Sequence, residues 1–392
     1  MLEMVKTKAA RHAIDPKKVH EFLTSLFAED VHAQRVFSLA TGVVGVMHAA
    51  AASIHAIGIG LAAATGRETR HAIKQVDRLL SNRGIKIWEL FGLWVRFVLG
   101  DRDEAVVALD WTDFDADSQS TIALHLITTH GRATPLMWLT VAKDTLEGNR
   151  NKYEDRLLER FREIVPLGTK VTVLADRGFG DQRLYIGLGD MGFDYVIRFR
   201  QGINVRDSVS GETRPAAAWV APNGHARMLR DARVTNSETP IPAVVCTKAK
   251  NMKEAWCLAS SRTDLTAPET VKLYGRRFTI EENFRDTKDL RFGLGLSATH
   301  IGTPERRDRL LLLIAVAQAL LTLLGAAAED ENLDRHTKAN TVKRRTHSLY
   351  RQGCIWYQLL PTLRDEWLRP LMRRFGELVT QHAVFSELFG IL

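Results

Sequence analysis

Val171-Thr-Val-Leu-Ala-Asp176-Arg-Gly-Phe-Gly180 decides the fold: an apolar, β-branched run closes on a carboxylate and breaks at once into a glycine turn. A continuous run of this kind has the character of a buried strand in a sheet with parallel members. Val106-Val-Ala-Leu-Asp110 has the same form 66 positions earlier and is followed by Trp111-Thr-Asp-Phe-Asp115. A carboxylate at the end of such a strand lies in the crevice where α/β sheets bind ligands. Each aspartate taken singly is also an ordinary turn residue.

Around these two runs the pattern alternates. Strands are predicted over 105–109, 121–127 and 135–140, and a helix over 153–165, amphipathic through Leu157, Leu158, Phe161 and Ile164. Then come the strand ending at Asp176, a helix over 182–191 and a strand over 195–200. Three strands, helix, strand, helix, strand is an α/β order that resembles ribonuclease H. In that order the first and fourth strands are neighbours, which brings Asp110 and Asp176 together.

A third segment, Tyr274-Gly-Arg-Arg277-Phe-Thr-Ile-Glu281-Glu-Asn-Phe-Arg285-Asp-Thr-Lys288, spaces Tyr274, Arg277, Glu281 and Lys288 by three, four and seven. On a 3.6-residue helix these steps hold all four near one face. The plain alternative is a solvated face with an Arg277–Glu281 pair worth a few tenths of a kcal/mol. Two strand-end aspartates and a helical glutamate would instead supply the hard oxygen ligands of Mg²⁺, and two such ions suit phosphoryl transfer.

These segments resemble the insertion-sequence transposases of the Asp-Asp-Glu class, in the branch marked by Tyr-x2-Arg-x3-Glu-x6-Lys. Here that signature reads YGRRFTIEENFRDTK, with ALDWT and LADRGFGD carrying the two aspartates. The resemblance covers roughly residues 30–350. It implies Asp110, Asp176 and Glu281 as catalytic metal ligands, with Asp113, Asp115 and Asp117 crowding behind the first. It implies two Mg²⁺ ions, for which Mn²⁺ can substitute, and double-stranded DNA as partner, both terminal inverted repeats and target. Cleavage and strand transfer through a hairpin intermediate, a homodimer on paired ends, and a bacterial cytoplasmic, nucleoid-associated location are further implications. Tyr274, Arg277 and Lys288 would hold phosphates of a displaced nucleotide, with Arg285 alongside. The alternatives are a nuclease of the same fold without strand transfer, and a DNA-binding regulator that has lost catalysis.

The remaining chain supports a polyanionic partner without establishing one. Of 392 residues 54 are Lys or Arg and 46 Asp or Glu, a net charge of +8, and many basic proteins bind no nucleic acid. Cys246, Cys257 and Cys354 form neither a disulfide framework nor a metal-binding spacing. No signal peptide is visible at the start. The uncharged stretch 43–64 is rich in Ala and Gly and holds His48 and His55, so two closely packed helices fit it better than a membrane span. Residues 310–328 read as a buried helix covering the sheet, despite Gln318 within it.

Four regions are expected: a helical DNA-binding part over 1–100, a catalytic part over 103–345, a β-rich insertion within it over 201–272, and a helical end over 350–392. In the first, a break at Thr65-Gly66 precedes a segment bearing Arg67, Arg70, Lys74 and Arg78. This reads equally as a helix-turn-helix for a DNA groove or as a small bundle with a basic face. Trp219 is a candidate for insertion into DNA and Trp256 for the core. The tract containing Lys343, Arg344 and Arg345 has no acidic residue between Arg335 and Arg351 and favours phosphate contact.

Overall fold

The computed structural model describes residue 14 and residues 16–28, 31–339 and 341–380. Parts of the expected regions 1–100 and 350–392 lie outside those residues. Among the described residues five helices precede the sheet: α1 (Pro16–Phe27), α2 (Ala33–Ala49), α3 (Ile54–Thr65), α4 (Thr69–Ser81) and α5 (Ile87–Leu99). Then follow β1 (Glu104–Phe114), β2 (Gln119–Leu126), β3 (Thr134–Ala142), α6 (Arg150–Ile164), β4 (Lys170–Ala175), α7 (Gln182–Asp190) and β5 (Asp194–Phe199). Five more strands are β6 (Asn204–Arg206), β7 (Thr213–Pro215), β8 (Arg227–Val234), β9 (Thr239–Thr247) and β10 (Trp256–Ser260). The chain returns to helices with α8 (Ala267–Gly275), α9 (Thr279–Lys288), α10 (Pro304–Asp330), α11 (Leu349–Leu359) and α12 (Asp365–Thr380).

All ten strands form one sheet in the order β3-β2-β1-β4-β5-β10-β9-β8-β6-β7. β1 pairs antiparallel with β2 and parallel with β4, and β4 pairs parallel with β5, so the first and fourth strands are neighbours as expected. The β-rich segment after β5 is no separate sheet. Its last strand, β10, runs antiparallel beside β5 and extends the sheet outward. The fold is thus an α/β core of ribonuclease-H-like order with a β-rich insertion, preceded by helices and followed by a helical tail.

Strand parity sorts the core into two layers. Val107 and Leu109 of β1 and Val171, Val173 and Ala175 of β4 share one cluster with Leu157, Leu158 and Phe161 of α6. Val106, Ala108 and Leu174 face the other way, onto Tyr274 of α8 and Ile280 of α9. A sheet covered on both faces has no polar side to alternate, which is why its strands read as unbroken apolar runs.

α10 is apolar all round because it is buried all round. Among the described residues it and the bent pair α2–α3 have the length and apolarity of membrane spans, yet the apolar stretch of α10 is almost wholly buried inside the protein. Its first turn also covers the sheet's edge: Trp138 Nε1 donates to the Asp308 carbonyl at 3.2 Å and Thr140 N to Asp308 Oδ1 at 3.1 Å. Edge groups are thereby satisfied rather than offered to another chain. Against α11 the contact is backbone to backbone: a Cβ on Gly325 would overlap the Leu349 carbonyl, and one on Gly353 the Leu321 carbonyl. Gly353→Leu is therefore expected to cost more than about 3 kcal/mol, the upper end for overpacking, read from denaturant midpoints. A loss below 1 kcal/mol, the lower end for overpacking, would mean that the two helices separate easily.

Candidate active site

Asp110 and Asp176 are brought together by the parallel register. Leu109 pairs with Ala175, so the two aspartates directly follow the last registered pair of two adjacent strands. Both have the even parity of Ala108 and Leu174, whose side chains lie on the α8–α9 face. β1 runs on to Phe114, four residues past Asp110. The first aspartate therefore stands within its strand and only the second ends one. What terminates there is the parallel pairing with β4, while β1 and β2 stay paired to Phe114↔Gln119.

Parity also separates Asp110 from its neighbours. Asp113 points to the opposite face, where it accepts from Ser120 Oγ at 2.7 Å and pairs with Lys143 at 3.6 Å. Asp115 is exposed and bound to Lys143, and Asp117 is bound to buried Arg307. Only Asp110 faces Glu281.

The signature segment is not one helix. α8 ends at Gly275, a 3-10 turn holds Arg276, Arg277 and Phe278, and α9 begins at Thr279. Gly275 weakens the helical ladder there, and the Thr279 hydroxyl donates to the Arg276 carbonyl at 2.9 Å. The break places Arg277, 5% exposed, between two carboxylates. Its Nη1 donates to Asp110 Oδ2 at 3.1 Å and its Nη2 to Glu281 Oε1 at 2.6 Å. The pair with Glu281 is the i,i+4 contact expected from spacing; the pair with Asp110 joins residues 167 positions apart.

Burial pushes the Asp110 carboxyl up to about 6, Arg277 opposing and the charges of Asp176 and Glu281 adding to the rise. Asp110 thus feels both other carboxylates, with the Arg277 guanidinium as its counter-ion. Among the described residues no three His, Cys, Asp or Glu side chains stand close enough to hold a metal ion as they are. The guanidinium fills the gap between Asp110 and Glu281. The donors themselves are hard oxygens of the type that suits Mg²⁺ or Mn²⁺.

α9 is fixed from several sides. Arg132, in the turn between β2 and β3, pairs with Asp286, and Ala133 N donates to the Thr279 carbonyl at 3.2 Å. On the other side buried Gln318 of α10 accepts from Asn283 Nδ2 at 3.1 Å and donates to Thr287 Oγ1 at 3.1 Å. The glutamine that interrupts an apolar helix is thus the link that sets the height of Glu281. Nothing in local sequence singles out Arg132 or Gln318 for this.

The other expected residues divide. Lys288 Nζ donates to Thr112 Oγ1 at 2.9 Å and to the Asp113 carbonyl at 2.6 Å, which puts it beside β1 beyond Asp110. Arg285 is exposed and paired with Glu282. Arg67, Arg70, Lys74 and Arg78 are all exposed on and before α4, and that helix is tied to α10 by Asp77–Arg306 at 2.7 Å. Lys343 and Arg344 are exposed, while Arg345 is tied to Glu329 at 2.9 Å.

Tyr274 does not offer itself to a phosphate here. It is buried, with its ring 5.0 Å edge-on to Trp256. Trp256 in turn is half-buried rather than core, tilted against Phe278 at 5.8 Å. Phe278 is 39% exposed and lies 4.8 Å from the Arg277 guanidinium. This aromatic pair beside the carboxylates was hidden in sequence, because Trp256 is flanked by apolar residues of a sheet strand.

Trp219 is the plain correction. It is 1% exposed, its Nε1 donates to the Val205 carbonyl at 3.1 Å, and Arg214 and Arg227 lie over its ring. Trp219 and Ala216 close a small core under β6–β8. Trp219→Ala is expected to cost about 3–5 kcal/mol and to leave the salt dependence of DNA binding unchanged. An unaltered melting temperature with weakened DNA binding would restore the inserting role.

Comparison with known families matches residues 101–320 to the transposase DDE domain. That span is more than half of the chain and contains Asp110, Asp176 and Glu281. Comparison with curated proteins gives no match. The chain belongs to the transposase DDE domain family.

Proposed function

We propose that this protein cuts DNA at the ends of a mobile element and joins the freed 3′-hydroxyl to target DNA, with a divalent metal at Asp110, Asp176 and Glu281. The observation that carries the proposal is the meeting of Asp110 and Asp176 on adjacent parallel strands, with Glu281 joined to Asp110 across Arg277. Mg²⁺ or Mn²⁺ held there supplies Lewis acidity toward the attacking and leaving oxygens. The three carboxylates bind the cation and fix its position against the sheet. Arg277 and Lys288 then hold phosphate oxygens, Arg277 with a fork and Lys288 as a point charge.

A hairpin at the element's end requires unstacked terminal nucleotides, at a cost of a few kcal/mol. Trp256 and Phe278 offer aromatic faces on which an unstacked base could rest. Lys74, Arg78, Lys343 and Arg344 are exposed toward a duplex backbone, as are Arg67 and Arg70 despite their bonds to Gln75 and Glu68, and a homodimer on paired ends fits a reaction on two ends.

The test is a gel assay on candidate terminal repeats with and without Mg²⁺, resolving nicked, hairpin and joined products. Nicking without joined product would leave a plain nuclease; binding without nicking under any divalent ion would leave a regulator. Affinity should also fall steeply with salt, since several phosphates are neutralised. Affinity unchanged from low to high salt would remove the proposed backbone contacts.

A further inference from the structure

We propose that residues 290–292 form an apolar wedge that enters duplex DNA beside the cleavage site; this rests on the DNA-cutting function proposed above. Leu290 and Phe292 are 75% and 65% exposed on one short turn that follows α9 directly. Single exposed apolar side chains are ordinary, but these two are held outward by a locked backbone. Asp289 Oδ1 accepts from Arg291 N at 2.8 Å and from Phe292 N at 2.6 Å. The Asp289 carbonyl accepts from Gly293 N at 3.1 Å and from Gly295 N at 2.9 Å. Gly293 packs onto the carbonyls of Arg285 and Asp286 so tightly that no side chain fits. Leu294, buried, anchors the turn to the N-terminal helices through its carbonyl, which accepts from Ala52 N at 2.8 Å.

The setting favours DNA as occupant. From Leu290 to Thr303 there is no acidic residue, and the Arg291 guanidinium lies 5.1 Å over the Phe292 ring. Arg285 and Lys288 stand five and two residues before Leu290. At 1.5 Å per residue the turn begins about 12 Å along the helix from Glu281, which equals three to four base steps at about 3.4 Å each. Apolar side chains collared by arginine that enter between base steps unstack them and kink the duplex. A bend at that distance would help to expose the terminal nucleotides on which hairpin formation depends.

The experiment uses a duplex with 2-aminopurine placed at successive positions from its end, bound to the full chain. With the wild type, fluorescence should rise at one position a few base pairs inside the end. The double variant Leu290→Ser, Phe292→Ser should lose that rise several-fold, with hairpin product reduced roughly tenfold. Its melting temperature and the salt dependence of binding should hold, because neither side chain is buried or charged, and Phe292→Trp should retain the signal. Equal fluorescence in the wild type and the double variant overturns the wedge. So does a double variant that keeps the signal but loses self-association by sedimentation, which assigns the turn to a protein contact. A wild type that neither binds nor cuts the duplex overturns the proposed function and the wedge together, whereas cutting with no local fluorescence rise overturns only the wedge.

Discussion

Glu281→Gln is expected to abolish nicking and strand transfer together, by roughly a thousandfold or more, the scale of several kcal/mol of lost charge stabilisation. The substitution keeps the size of the side chain, and the amide oxygen of Gln can still accept from Arg277 Nη2, which donates to Glu281 Oε1 in the wild type. Glu281 is half-exposed, with a side-chain exposure of 52%, so the fold should be little disturbed. DNA affinity measured by anisotropy should stay within a few-fold of wild type. Asp110→Asn and Asp176→Asn should behave alike, since all three carboxylates act on one site. Full cleavage in any one of the three variants would remove that residue from the set of ligands. If Asp113→Asn were inactive and Asp110→Asn active, the parity argument for the first ligand would fail.

Arg277→Ala is expected to be costly in a different way. Arg277 is buried and holds two carboxylates, and removing one partner of a buried ion pair costs about 3–5 kcal/mol. The loss should depend on pH. Asp110 is raised to about 6 in the folded protein, above its ordinary unfolded value near 4. A raised carboxyl means that the folded state binds the proton more tightly, so its contribution favours folding in acid and fades as pH rises through 6. Without Arg277, which holds Asp110 down, that value moves higher still. The variant should therefore gain more than wild type on acidification, and its deficit in unfolding free energy should shrink between pH 8 and pH 5. A deficit independent of pH would mean that Arg277 acts by packing alone.

Product analysis of the same variant separates two roles. The family resemblance implies that Arg277 serves the displaced phosphates, so that the first nick would suffer less than hairpin formation. Its hydrogen bonds to Asp110 and Glu281 give it a second duty, to position both carboxylates. We expect the first nick to fall as well, with hairpin and joined products falling further. Equal loss at every step would leave positioning as its sole function.

Much of the sheet was legible because burial on two faces leaves an unbroken apolar run, and runs of that kind ending at Asp110 and Asp176 are visible without any structure. The strand and helix order from β1 to β5 followed from periodicity, and the helical spacing of Arg277 and Glu281 gave their contact, since i,i+4 neighbours meet on any helix. Other features depended on residues far apart in the chain. Whether Asp110 or Asp113 faces Glu281 depends on which side of the sheet α9 covers, and no local pattern states that. The burial of Trp219 depends on β6–β8 closing over it, and the half-exposure of Trp256 on where α8 and the 3-10 turn lie.

The α/β order and the charged segment that supplies Glu281 could be read from the residues, because they rest on unbroken apolar runs and a period of 3.6 residues, while the neighbouring of the two aspartate strands came with the resemblance to the ribonuclease H order. Packing between distant segments puts Arg277 in the space between Asp110 and Glu281, sets α9 with Gln318 and Arg132, and joins the insertion to the main sheet. The physical reason is that such contacts join side chains more than 30 positions apart, up to 167 for Arg277 and Asp110, whose meeting is fixed by packing and not by local geometry.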